Sequence, residues 1–135
     1  METIKAWHFV GKTLRDGSPI PRDGAWLKYS GDMVICKRGL HASIQPFDAL
    51  QYAPGGTLCY VECCGIGTQQ NDKFVCSERK IIARIDVTEM LRYFVRMTAL
   101  SVSHLWSDGD DPNDIVLSWL LTGDESLRDS ARASA

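Results

Sequence analysis

The chain has 135 residues, of which 44% are hydrophobic and 24% are charged, an ordinary composition that excludes a disordered or fibrous protein. Its apolar runs are far shorter than the roughly 20 residues needed to cross a bilayer. Fifteen basic and 17 acidic residues are interspersed, with a net charge of -2, which excludes a basic tract for nucleic acid. We therefore expect one folded domain without a membrane span and without a strong nucleic-acid signature.

The cysteines indicate a reducing compartment. There are five of them, at positions Cys36, Cys59, Cys63, Cys64 and Cys76. An odd number with one adjacent pair is a poor disulfide framework, and the first residues lack the basic and apolar regions of a secretory signal. Along a strand, Cys59 and Cys63 would lie about 13 Å apart at roughly 3.3 Å per residue, too far to share a metal. We expect free thiols, no metal and a cytoplasmic protein.

The first elements follow from alternation and turn residues. Residues 4–10 predict a strand with His8 on the face opposite Trp7 and Phe9. The Gly-, Pro- and Asp-rich residues 11–31 predict a loop or hairpin. Further predicted elements are short strands at 33–36 and 39–43 and a short helix that begins at Pro46.

The rest of the chain changes from strands to helices. The predicted strands are residues 57–64, 73–76 and 80–85, with a loop at 65–72. Asp86 with Glu89 predicts the start of the longest helix, whose Leu91, Phe94 and Val95 we expect to be buried against the sheet. A turn at residues 108–112, a helix ending at Gly123 and a last helix capped by Asp124 follow.

This order predicts an α+β fold, in which a mainly antiparallel sheet in the first two-thirds is packed by C-terminal helices. We interpret residues 1–135 as a single domain, with a strand-rich core at 4–86 and a helical part at 87–135.

One series of polar residues falls on successive core elements. It comprises His8, the stretch Gly39-Leu40-His41-Ala42-Ser43, Tyr52, and then Asp72 or Glu78. This order resembles the core of the ADP-ribosyltransferase superfamily. The resemblance implies NAD as co-substrate and a transfer to an unknown macromolecular acceptor. It also implies that His8, His41, Ser43 and Tyr52 bind the cofactor, with Tyr52 stacking on nicotinamide eleven residues after His41.

The resemblance also implies a catalytic acid, which joins His41 among the catalytic candidates. The stretch Asn71-Asp72-Lys73-Phe74-Val75 is similar to the family's acidic stretch and places Asp72 there, while Glu78 is the expected residue type six positions later. A carboxylate is useful because cleavage of the nicotinamide bond builds positive charge on the ribose.

Other interpretations remain open. His41, where the superfamily often has tyrosine, resembles the subgroup that includes RNA 2'-phosphotransferases. The whole chain also resembles an uncharacterised phage and bacterial domain family, which implies a bacterial host cytoplasm and is compatible with a non-enzymatic protein that binds a host component, as in anti-defence. Taken singly, His8 on an edge strand, His41 at a turn and Tyr52 at a helix end each have structural explanations.

Overall fold

The computed structural model describes residues 2–105 and 114–134, which form two compact units, Met1–Val87 and Thr88–Ala135. The described elements of the first unit are β1 (Thr3–Val10), β2 (Trp26–Lys28), β3 (Leu40–Ala42), α1 (Pro46–Leu50), β4 (Thr57–Gln69) and β5 (Phe74–Asp86). Those of the second are α2 (Thr88–Ser101), α3 (Asp114–Thr122) and α4 (Arg128–Ser134), with 3-10 turns at Ser103–Leu105 and Glu125–Leu127. The predicted α+β class is confirmed. No described helix has the length and apolar character to cross a membrane.

A long antiparallel hairpin of β4 and β5 forms the centre of the sheet. Its register runs from Thr57 opposite Asp86 to Gln69 opposite Phe74, and the turn is closed by the N–H of Gln70, which donates to the carbonyl of Lys73 at 2.7 Å. Residues 65–69 of the predicted loop at 65–72 therefore belong to β4, and the predicted division of the next strand into two short strands is wrong. Gly65 lies within β4 at φ +65°, and a side chain at this position would collide with Ser77.

The sheet closes on itself through a backbone bridge. β1 pairs with β4, and β5 pairs with β3. The residue after β3, Ser43, exchanges hydrogen bonds with Trp7 of β1 at 2.7 and 2.9 Å. This closure encloses a core that is rich in small residues and thiols, formed by Ala6, Val10, Ala42, Cys59, Val61, Cys63, Phe74, Cys76 and Ile81.

Two further differences concern the segment before β3. The short strand β2 pairs with β5 inside the predicted loop region, whose turn glycines Gly17 and Gly24 do adopt positive φ. The predicted strand at 33–36 is wrong, because Val34 bonds Arg38 in a tight turn with Cys36 at φ +69°. Helix α1 begins at Pro46 as predicted.

In the helical unit, the end of α3 and the cap at Asp124 are as predicted, but the burial of α2 is not. Gly123, at φ +70°, ends α3, and Asp124 accepts a hydrogen bond from the N–H of Ser126. No residue of α2 is buried, and Phe94 and Val95 are 48% and 56% exposed, so the expectation of a buried apolar stripe is wrong. The apolar spacing of α2 is that of an amphipathic helix, but spacing does not specify a packing partner. The predicted turn at 108–112 lies outside the described residues.

Candidate functional site

A cleft of about 1010 Å³ lies in the first unit, against β1, β3 and the loops that precede β2 and β3. Four of the residues implied by the resemblance line it together: His8, His41, Ser43 and Tyr52. They come from β1, β3, the bridge that closes the sheet and the end of α1. The closure of the sheet is what brings these separate segments to one surface.

His8 lies on the β1 face that also carries the buried Ala6 and Val10. Burial, followed by the positive charge of Arg79 and by His41, holds the pKa of His8 well below its usual 6.5. His8 is therefore a neutral imidazole at pH 7, able to donate one hydrogen bond and accept another.

The imidazole of His41 is held by its own chain. Its Nε2 accepts a hydrogen bond from the N–H of Cys36 at 2.9 Å, so in the neutral ring the proton lies on Nδ1. Burial lowers the pKa of His41, with further contributions from Lys73, Arg79 and Arg15. A ligand that binds Nε2 must displace the N–H of Cys36.

Arg79 is the functional candidate that the sequence analysis missed. It is only 6% exposed, lines the cleft, and its Nη1 donates to the carbonyl oxygen of His41 at 2.5 Å. Had residues 74–86 been predicted as one strand, alternation would have placed Arg79 on the same face as the buried Ile81. The division into two short strands hid that signal.

The cleft is strongly basic although the chain is slightly acidic. Besides Arg79, six cationic residues line it: Lys12, Arg15, Lys28, Lys37, Arg38 and Lys73. Among the described lining residues the acid is Asp16, whose pKa is lowered by its hydrogen bonds with the side chain and backbone of Ser18. This concentration of positive charge favours an anionic ligand.

Tyr52 and Asp72 form a pair at the edge of the cleft. Tyr52 lies at the C-terminal end of α1, is 48% exposed and donates its hydroxyl hydrogen to Oδ2 of Asp72 in the β4–β5 turn. That bond raises the pKa of Tyr52. The ammonium of Lys73 lies 4.1 Å from the centroid of the tyrosine ring, so one face of the ring already has a cationic partner.

Glu78, the other candidate acid, does not line the cleft. It precedes Arg79 on β5, and successive side chains of a strand point to opposite faces. Its carboxylate accepts a hydrogen bond from Sγ of Cys64 at 2.9 Å and lies 3.5 Å from Nζ of Lys28. The bond from Cys64 is the main cause of the lowered pKa of Glu78. Neither acid is a lining residue, but each contacts one, because Asp72 bonds Tyr52 and Glu78 pairs with Lys28.

All five cysteines are free, and Cys36 is the exposed one. Among the described residues, no group of three or more His, Cys, Asp or Glu side chains is placed to hold a metal ion.

Comparison with known proteins identifies a family. A family model described as a domain of unknown function, DUF7666, matches residues 4–93, which include the sheet, the cleft and every candidate site residue. No curated protein and no solved structure matches the chain. Because the match covers most of the chain, this protein belongs to the DUF7666 family of domains of unknown function.

Proposed function

We propose that the cleft binds NAD and that the protein is a small ADP-ribosyltransferase-like enzyme acting on a macromolecular acceptor. The observation that carries the proposal is that His8, His41, Ser43 and Tyr52 line one cleft that is surrounded by cationic side chains. NAD would supply the ADP-ribosyl group, and nicotinamide would be the leaving group.

The chain offers a partner for each part of such a ligand. Lysine and arginine side chains pair with phosphate oxygens, and a neutral imidazole bonds ribose hydroxyls. The exposed ring of Tyr52 offers an aromatic surface for a planar base. Asp72 is the acid proposed to stabilise the cationic ribose, because its carboxylate bonds Tyr52, the proposed surface for nicotinamide.

Calorimetry with NAD tests the binding step. Wild-type protein should bind, and Tyr52→Ala should weaken binding because it removes the aromatic surface. Tyr93→Ala is the matched control, since Tyr93 is an exposed tyrosine of α2 outside the cleft lining. Absence of binding at millimolar NAD would contradict the proposal and favour the alternative, a non-enzymatic phage or bacterial protein that binds a host component.

A nicotinamide-release assay tests the chemical step. Asp72→Asn should leave NAD binding nearly unchanged and slow turnover, because the carboxylate acts chiefly when positive charge develops on the ribose. Equal turnover by wild type and Asp72→Asn would exclude Asp72 as the catalytic acid.

A second candidate function is an RNA 2'-phosphotransferase-like activity. It requires clustered cations, and the cleft collects Arg15, Arg38 and Arg79 with several lysines around two histidines. Incubation with NAD and an RNA oligonucleotide that carries a 2'-phosphate distinguishes the two: loss of that phosphate, without modification of protein acceptors, would favour this second activity.

A further inference from the structure

Arg79 is a buried cation without a carboxylate partner. Arg79 is 94% buried. None of the ion pairs among the described residues includes Arg79. Arg79 interacts electrostatically with five ionisable groups, namely His8, His41 and the thiols of Cys59, Cys63 and Cys76. A buried guanidinium normally requires an anion, because it stays protonated even when burial lowers its pKa.

The guanidinium still has donors to offer. Its hydrogen bond in the structure runs from Nη1 to the carbonyl oxygen of His41, which fixes the group but supplies no negative charge. Arg79 also lines the cleft, where the remaining N–H groups of its guanidinium can meet a ligand. A planar fork of N–H groups matches two oxygens of a phosphate.

We infer that Arg79, close to His8 and His41, is an oxyanion subsite that receives a phosphate group of the bound nucleotide. The inference rests on the proposed function for the identity of the nucleotide, but a phosphate probe tests it separately. The exposed lysines and arginines of the cleft would then attract the ligand, while Arg79 orients it. An exposed cation contributes little once salt screens it, whereas the buried one is screened much less.

Titration with inorganic pyrophosphate, followed by NMR of the histidine side chains, is the first test. A dianion or trianion beside Arg79 should raise the pKa of His8, because an adjacent negative charge favours the imidazolium that the free protein disfavours. The resonances of exposed His104 serve as the internal control. Unchanged His8 resonances at saturating pyrophosphate, or no binding at all, would overturn the inference.

Variants provide the second test. Arg79→Met should weaken pyrophosphate binding by about tenfold or more, the usual effect of losing a hydrogen bond to a charged group. Arg79→Lys, which keeps the charge and loses the fork, should fall between Arg79→Met and wild type. Lys37→Met is the matched exposed control, with a smaller effect that vanishes at high salt. Undiminished binding by folded Arg79→Met would overturn the inference, and if neither Arg79 variant folds the wild-type NMR experiment decides.

A protein anion would be the competing explanation for the buried charge. A thiolate at Cys76 could neutralise Arg79, since the hydrogen bond from Cys63, opposed by burial, lowers the pKa of Cys76 and Arg79 lowers it further. Thiolate absorbance near neutral pH that disappears in Cys76→Ser would therefore overturn the subsite. Pyrophosphate binding without NAD binding would refute the proposed function alone, while NAD binding undiminished in Arg79→Met would refute the subsite alone.

Discussion

The backbone N–H of Cys36 and Nε2 of His41 are joined by a hydrogen bond of 2.9 Å, and Cys36 makes it from the left-handed region at φ +69°. A residue other than glycine is strained in that region because its Cβ crowds the neighbouring carbonyl oxygen. The orientation of a cleft imidazole is therefore maintained by a strained loop residue.

Replacing Cys36 should reveal this strain. Cys36→Gly and Cys36→Ala both remove the thiol, but only glycine removes the Cβ. We expect the glycine variant to be more stable than the alanine variant by about 0.5–1 kcal/mol, the strain relieved less the entropy that glycine gains on unfolding. Urea unfolding of the two variants measures the difference. An alanine variant of equal or greater stability would show that the left-handed conformation costs no more than the entropy that glycine gains on unfolding.

The free energy of unfolding should decrease as the pH is lowered through the range in which the buried His8 resists protonation. The pKa of His8 lies well below 6.5 in the folded chain and near 6.5 in the unfolded chain. The unfolded state therefore binds more protons below about pH 6.5, so stability is full above that pH and is lost as the pH drops toward the folded pKa.

Removing His8 should flatten this dependence by up to about 1.4 kcal/mol per pH unit, the contribution of one proton. Chemical denaturation of His8→Gln at several pH values measures the slope, with the exposed His104→Gln as control. Equal slopes for wild type and His8→Gln would contradict the burial of a neutral His8.

The thiols should react in two classes. Cys36 is exposed, whereas Cys59, Cys63, Cys64 and Cys76 are buried. A thiol reagent added to native protein without reductant should modify Cys36 alone, and all five cysteines after denaturation. Cys36→Ser should remove the rapid phase. Fewer than five thiols in the denatured protein would reveal a disulfide.

Gly39 should tolerate alanine less well than Gly17. Both glycines have positive φ, but a Cβ at Gly39 would lie 2.5 Å from Cγ2 of Val75, whereas a Cβ at Gly17 meets no atom within 4 Å. Gly17→Ala therefore reports backbone strain alone, at about 1 kcal/mol. Gly39→Ala should cost about 1–3 kcal/mol more because it also overpacks the β3–β5 contact. Equal melting behaviour of the two variants would show that Val75 can move aside.

Local chemistry accounts for the parts of the fold that could be predicted from the sequence. Alternation along residues 4–10 places His8 on the face of Ala6 and Val10, because side chains of a strand point to alternate faces. Pro46 begins α1 and Gly123 ends α3 because each has a backbone preference suited to that position. These local rules did not predict that His8, His41 and Tyr52 would line one cleft. That expectation came from the family resemblance.

The remaining features depend on tertiary contacts that no local pattern contains. From the sequence alone, Gly65 predicts the end of a strand. Its role within β4 is evident only once Ser77 is known to lie opposite it. From the sequence alone, Arg79 belongs to a basic run that is expected to be exposed. Its burial can be predicted only once β5 is known to continue past it. The apolar residues of α2 predict its helical form correctly but not their own exposure, because burial depends on what packs against them.

The bridge between Trp7 and Ser43 has a consequence for the order in which the chain folds. The β4–β5 hairpin joins neighbouring segments and can form early, whereas the bridge joins segments that are farther apart in sequence. We therefore expect His8 and His41 to come together after the hairpin has formed. A chain arrested before that step would have its hairpin but no binding cleft, so ligand affinity should appear later during refolding than β-sheet signal.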